Sequence, residues 1–188
     1  MDDKTKHHGI YRGKVLDNAD PDMLGRVKAE IYPMMIGTET ASASLAGATP
    51  GIVTEALPWA VPAFSLVEGS AEGLGFVSIP RVGSTLFFFF ENGSIYQPVY
   101  FASAPDAVHG LPSEIRANYP NKKVLKTQGG FIIELDDSSG NEALTVTHPA
   151  GAVLSILPDG GVTVSSPADV VVAASGEVNV TASKINLN

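Results

Sequence analysis

Apolar side chains in the last third of the chain come in pairs separated by one residue: Leu154/Ile156, Val162/Val164, Val170/Val172 and Val178/Val180. Each pair lies eight residues after the last. Alternation with period two describes a strand with one buried face. Between the pairs stand Pro158-Asp159-Gly160-Gly161, Ser165-Ser166-Pro167-Ala168 and Ala174-Ser175-Gly176-Glu177, all rich in turn-forming residues. A beat of this kind predicts a stacked, quasi-one-dimensional β structure. Two apolar side chains per repeat cannot close a core, so the rest of the core must come from other copies of the chain. Thr163, Val171 and Asn179 fall on the opposite side and suit an exposed wall. The final pair, Ile185/Leu187, follows after seven residues instead of eight, which predicts a local change at the tip of the rod.

The first half reads differently. Short strand candidates are Ile10–Leu16, Gly25–Ile31, Trp59–Pro62, Gly75–Pro80, Ser84–Phe90 and Pro98–Phe101. In the second of these, alternation predicts Arg26, Lys28 and Glu30 outward. Residues 33–57, rich in Ala, Ser, Thr and Gly, predict a long loop with at most a short helical turn. Five or six short strands with turns between them predict a small closed barrel. The run Phe87-Phe88-Phe89-Phe90 suits a strand buried on both faces, or one that packs its outer face on a partner chain. The organisation expected is an arm over 1–8, a barrel over 9–104, a linker over 105–126 and a rod over 127–188.

Composition narrows the chemistry. Apolar residues make up 44% and charged residues 17%, so the chain is not of the disordered type. Cysteine is absent, which removes disulfides and thiolate metal sites. The opening Met1-Asp2-Asp3-Lys4 is acidic and polar without an apolar h-region, so a secretory signal is not expected, and the apolar run Leu86–Phe90 is far too short to span a bilayer. A net charge of −8 disfavours nucleic-acid binding, although Phe87 to Phe90, Tyr96 and Tyr100 supply aromatics. His7, His8, His109 and His148 are scattered over loop-like segments and assemble no catalytic group. Glu134 and Asp136 share a strand face, next to Asp137, but a solvated turn accounts for them better than paired acid–base chemistry. Asp17, Asp20 and Asp22 fail the calcium-loop spacing, because Ala19 and Pro21 occupy ligand positions. Lys122, Lys123 and Lys126 read as a solvated linker face or as partners for acidic groups on a neighbouring subunit.

Two blocks of sequence carry a resemblance. The first runs Tyr11-Arg12-Gly13-Lys14-Val15, Asp20-Pro21-Asp22-Met23-Leu24-Gly25-Arg26-Val27-Lys28, Trp59-Ala60, Gly75 to Gly83, Phe88-Phe89-Phe90-Glu91-Asn92-Gly93 and Gln97-Pro98-Val99. The second is Lys126-Thr127-Gln128-Gly129-Gly130-Phe131 through Glu134-Leu135-Asp136-Asp137. In this order they resemble the central spike proteins of contractile phage tails and the VgrG-like spikes of type VI secretion and other contractile injection systems. The resemblance implies an all-β chain, with an OB-fold-like barrel followed by an intertwined trimeric β-helix, or β-prism. The trimer core is then Leu154, Ile156, Val162, Val164, Val170, Val172, Val178, Val180, Ile185 and Leu187. Only about 20 residues join barrel and rod, too few for the lysozyme domain some phage spikes insert. The barrel begins within ten residues of Met1, so a hub would be a separate protein. The last histidine is His148, so the His-x-His metal tip of some short spikes is missing.

The expected function is mechanical: a homotrimeric, membrane-piercing baseplate spike, not an enzyme and without cofactor or metal. Its expected partners are a hub or tube protein at the barrel, a PAAR-type tip protein at the far end and the target cell's outer membrane, with no nucleic acid. The expected place is the baseplate of a virion or injection particle, after synthesis in the bacterial cytoplasm. A trimeric adhesin or receptor-binding fibre, a nucleic-acid-binding OB protein and a cell-wall-degrading enzyme stand as alternatives.

Overall fold

Strict alternation along Thr85–Phe90 sends Phe88 and Phe90 to one side and Phe87 and Phe89 to the other, and the inward pair is 0% and 4% exposed. In a computed structural model, which describes residues 6–38, 51–65, 73–108 and 110–186, this strand helps close a barrel. The chain divides into two units, Met1–Gly110 and Leu111–Asn188. It is all-β, and its short 3-10 turns lie at Thr54–Ala56, Glu91–Gly93 and Ser113–Arg116.

The first unit contains β1 (Tyr11–Asp17), β2 (Val27–Ile31), β3 (Trp59–Pro62), β4 (Thr85–Phe90) and β5 (Pro98–Ser103). They close in the order β1-β2-β3-β5-β4, with β3 and β5 parallel and the other pairs antiparallel. This is an OB-like barrel. Its core is Val15, Val27, Ala29, Ile31, Leu86, Phe88, Phe90 and Tyr100, all at most 4% exposed. Gly13 is required where β1 crosses the core, since a Cβ there would lie 2.3 Å from the Glu30 carbonyl oxygen and 2.8 Å from Phe88. Tyr100 donates its hydroxyl proton to the Gly25 carbonyl, and burial pushes its pKa up to about 12.

Three expectations for this unit need correction. Lys28 and Glu30 are not outward, because β2 is buried along its whole length. Segments 32–38 and 51–57 fold across its outer side, where Gly37 N–H donates to Glu30 Oε2 and Lys28 Nζ donates to the Glu55 carbonyl. Glu30, fully buried, also accepts from the Tyr32 hydroxyl and lies 3.5 Å from Lys14 Nζ. Lys28 sits over the Trp59 ring. Second, Gly75–Pro80 forms no strand, and Phe76, Val77 and Ile79 stay 39–62% exposed. Five strands already close the barrel, so no edge is left for a sixth. Third, of the two readings of the phenylalanine run, burial on both faces within one chain does not hold, since Phe87 and Phe89 are only half-buried. Phe87 and Phe89 pack about 6 Å from Phe101, and Arg12 stacks over Phe87.

The second unit is one antiparallel sheet in chain order: β6 (Lys122–Lys126), β7 (Ile132–Asp136), β8 (Ala143–Thr147), β9 (Val153–Ile156) and β10 (Val162–Ser165). Lys122–Lys126, assigned to a linker from the sequence, is therefore the sheet's first strand. Its lysines pair with carboxylates of their own chain: Lys122 with Glu134 at 2.8 Å, Lys126 with Glu114 at 2.6 Å, and Lys123 with Asp137. All five strands hydrogen-bond to one another within the chain. Beyond Ser165 the described residues form no strand.

Candidate oligomerisation surface

The pleat decides what this sheet displays. Leu154 lies opposite Val146 on β8 and Val164 on β10, while Ile156 lies opposite Leu144 and Val162. One step further, Val146 faces Ile133 and Leu144 faces Leu135, and Ile133 faces Leu125. Residues opposite one another in a ladder share a face, so one side of the sheet is a continuous apolar field. No second layer covers it among the described residues. Leu154 and Ile156 are 42% and 44% exposed, and Val162 and Val164 about 65%.

The opposite side is more polar, though Val124, Ile132 and Val153 also lie on it. Glu134, Asp136, Thr145, Ser155 and Thr163 alternate with the apolar set. The Ser138 hydroxyl, the Asn118 side chain and the Ser138 N–H donate to Asp136, in that order of weight, and hold its carboxyl down at about 2. Glu134 is occupied by Lys122. These carboxylates hold the sheet's polar wall together.

The sequence-derived core positions split into two groups. Leu154, Ile156, Val162 and Val164 come together on the apolar face. Val170, Val172, Val178, Val180 and Ile185 lie in the strandless stretch after Ser165 and are 53–75% exposed. Leu187 lies outside the described residues. The structure adds Leu125, Ile133, Leu135, Leu144 and Val146 to the same face. Ile133/Leu135 and Leu144/Val146 carry the same paired signal, but the next pairs follow after eleven and ten residues instead of eight.

The remaining candidates are local stabilisers. Asp20 accepts from the backbone N–H groups of Leu24 and Arg26 and from the Arg26 guanidinium at 2.6 Å, which keeps its carboxyl well below the usual carboxylate range. Asp22 pairs with the same arginine. This clamp shapes the β1–β2 turn, in which Met23 takes a left-handed backbone (φ 54°) and is 90% exposed. His7 lies near Phe90 and His148 stands edge-on to Phe131, in different units. His109 lies outside the described residues. Among the described residues no group of three or more His, Cys, Asp or Glu is arranged to hold a metal ion. The aromatics are divided: Phe88, Phe90 and Tyr100 line the core, and Phe87, Phe89 and Tyr96 face outward. No protein-family model matches this chain, and no curated protein matches it in sequence.

Proposed function

We propose that the chain is the central spike of a contractile tail or injection device, acting as a homotrimer that pierces an outer membrane by mechanical force. The observation that carries this reading is the apolar sheet face from Leu125 to Val164, followed by a further run of exposed apolar pairs to Ile185. Soluble monomers rarely leave an apolar field of this extent in water. Three copies with these faces turned inward form a prism with a dry interior and a polar outer wall. The number three, and the spike role, come from the resemblance of the sequence blocks. The OB-like barrel is the attachment module for a hub or tube protein, and a separate PAAR-type protein caps the far end. No catalysis or cofactor is required, because the rod works by stiffness and by slow unfolding.

Light scattering on the purified chain tests the assembly. The expected mass is three times the 19.6 kDa chain, falling to one barrel unit when the chain is cut after Gly110. A monomer at full length overturns the reading. Immunogold labelling of contractile particles from the producing cell then separates spike from fibre. Label at the tail-tube end supports the spike, and label on lateral fibres supports the adhesin.

A further inference from the structure

The turn between β4 and β5 carries the one Asn-Gly step in the sequence, Asn92-Gly93. Both residues are left-handed, at φ 52° and φ 76°. Asparagine is among the few side chains that take this conformation readily. The turn is tight: Ser94 N–H donates to the Glu91 carbonyl, Gln97 N–H to the Ser94 carbonyl, and Glu91 N–H to the Gln97 carbonyl. Asn92 is exposed and Gly93 is buried.

The N-terminal arm sits directly on Gly93. His7 N–H donates to its carbonyl at 2.9 Å. A Cβ on Gly93 would lie 2.9 Å from Lys6 Cβ, 3.0 Å from His7 N and 3.1 Å from His8 Cε1. The His7 ring stands edge-on to Phe90, which Tyr11 of β1 also contacts. The arm's seat therefore depends on the shape of this turn and on the missing side chain of Gly93.

We propose that Asn92-Gly93 is a self-modification site, and that its conversion to isoaspartate unseats the arm. Glycine leaves the peptide nitrogen unscreened by a side chain. Gly93 N attacks Asn92 Cγ. The new N–Cγ bond closes a five-membered imide, the bond from Cγ to the amide nitrogen breaks, and ammonia leaves with the proton of the peptide N–H. Water then opens the imide at either carbonyl. The sum is side-chain amide plus water to carboxylate plus ammonium. Opening at the main-chain carbonyl leaves the backbone running through Cβ and Cγ, one carbon longer, with the new carboxylate on Cα.

The folded turn resists the first step. At the Asn92 ψ of 16° the Gly93 nitrogen is turned away from the side chain, and ring closure needs that bond to rotate. The seated arm opposes the rotation, and the lengthened turn no longer offers the seat. Loss of ammonia makes the change run one way. Turn and arm belong to one barrel, so the proposal stands apart from the trimer reading.

The full chain, incubated at mildly alkaline pH, is read by peptide mass mapping and by enzymatic methylation of isoaspartate. Asn92 is expected to convert about tenfold faster than Asn18, Asn118, Asn121, Asn141 or Asn179, none of which precedes glycine. Removing residues 1–8 is expected to speed Asn92 about threefold further, because local opening becomes easier. In the converted chain the His7 amide is expected to lose about tenfold of its hydrogen-exchange protection. Asn92→Asp carries the charge without the extra backbone carbon and is expected to keep that protection. Conversion no faster at Asn92 than at the other asparagines overturns the site. A rate unchanged by removal of the arm, a converted chain that still protects His7, or an Asn92→Asp chain that loses the protection as fully, overturns the link to the arm.

Discussion

The barrel and the sheet have similar strand counts and opposite economies. In the barrel, Val15, Val27 and Phe88 are 0% exposed, and every strand has a neighbour on both sides. In the sheet, the equivalent inward-type residues, Leu154, Ile156, Val162 and Val164, are 42–65% exposed. The difference lies in closure. Five strands curled on themselves hide one face completely, whereas the same number laid flat in one layer hide neither. The barrel therefore carries its own stability, and in the trimer proposed above other copies complete the sheet's.

Substitutions in the two regions separate these economies. Leu154→Asp puts a carboxylate into every copy's apolar face. The expected result is loss of the assembled trimer, at several kcal/mol per buried charge, with barrel folding unchanged. Light scattering and circular dichroism check both halves of that statement, and a trimer surviving at micromolar concentration counts against it. Phe88→Ala is the converse: about 3–5 kcal/mol lost from the barrel, read as a fall in its own melting transition while the chain stays trimeric. Gly140→Ala forces a left-handed residue in the β7–β8 hairpin, with open space around the added methyl. It is expected to cost about 1 kcal/mol, confined to the sheet's transition in denaturant.

The smallest effect is one of pH. The Asp136 carboxyl sits at about 2 in the folded chain, below its ordinary 3.8. A lowered pKa stabilises the fold above the ordinary value and loses that contribution as pH falls from about 4 to about 2. Melting of the sheet is expected to drop across that window, and Asp136→Asn to flatten the dependence.

Both architectures were visible in the alternation of residues, and the errors share a cause. Lys28 and Glu30 alternate as a half-solvated strand would, but a covering loop dozens of residues long in sequence provides Glu55 and Gly37 as their partners. Nothing within β2 announces that. Phe76 to Ile79 has strand composition and no strand, since pairing depends on a free edge elsewhere. Lys122–Lys126 looks like a linker because its charges are neutralised by Glu134, Asp137 and Glu114, residues that only the hairpins bring near. The paired apolar positions of the sheet face were legible because they are set locally, by the pleat. Where their ladder partners lie depends on the loops.

The two edges of the sheet are unlike. Along β6 three lysines are tied to carboxylates, and the Ser113–Arg116 turn packs against the strand. Along β10, no strand among the described residues pairs with the outer edge of Val162-Thr163-Val164-Ser165, and the strand carries no charge to deflect a newcomer. Growth by strand addition thus has a direction. The sheet is capped at its start and receptive at its end, like a polymer with one blocked terminus.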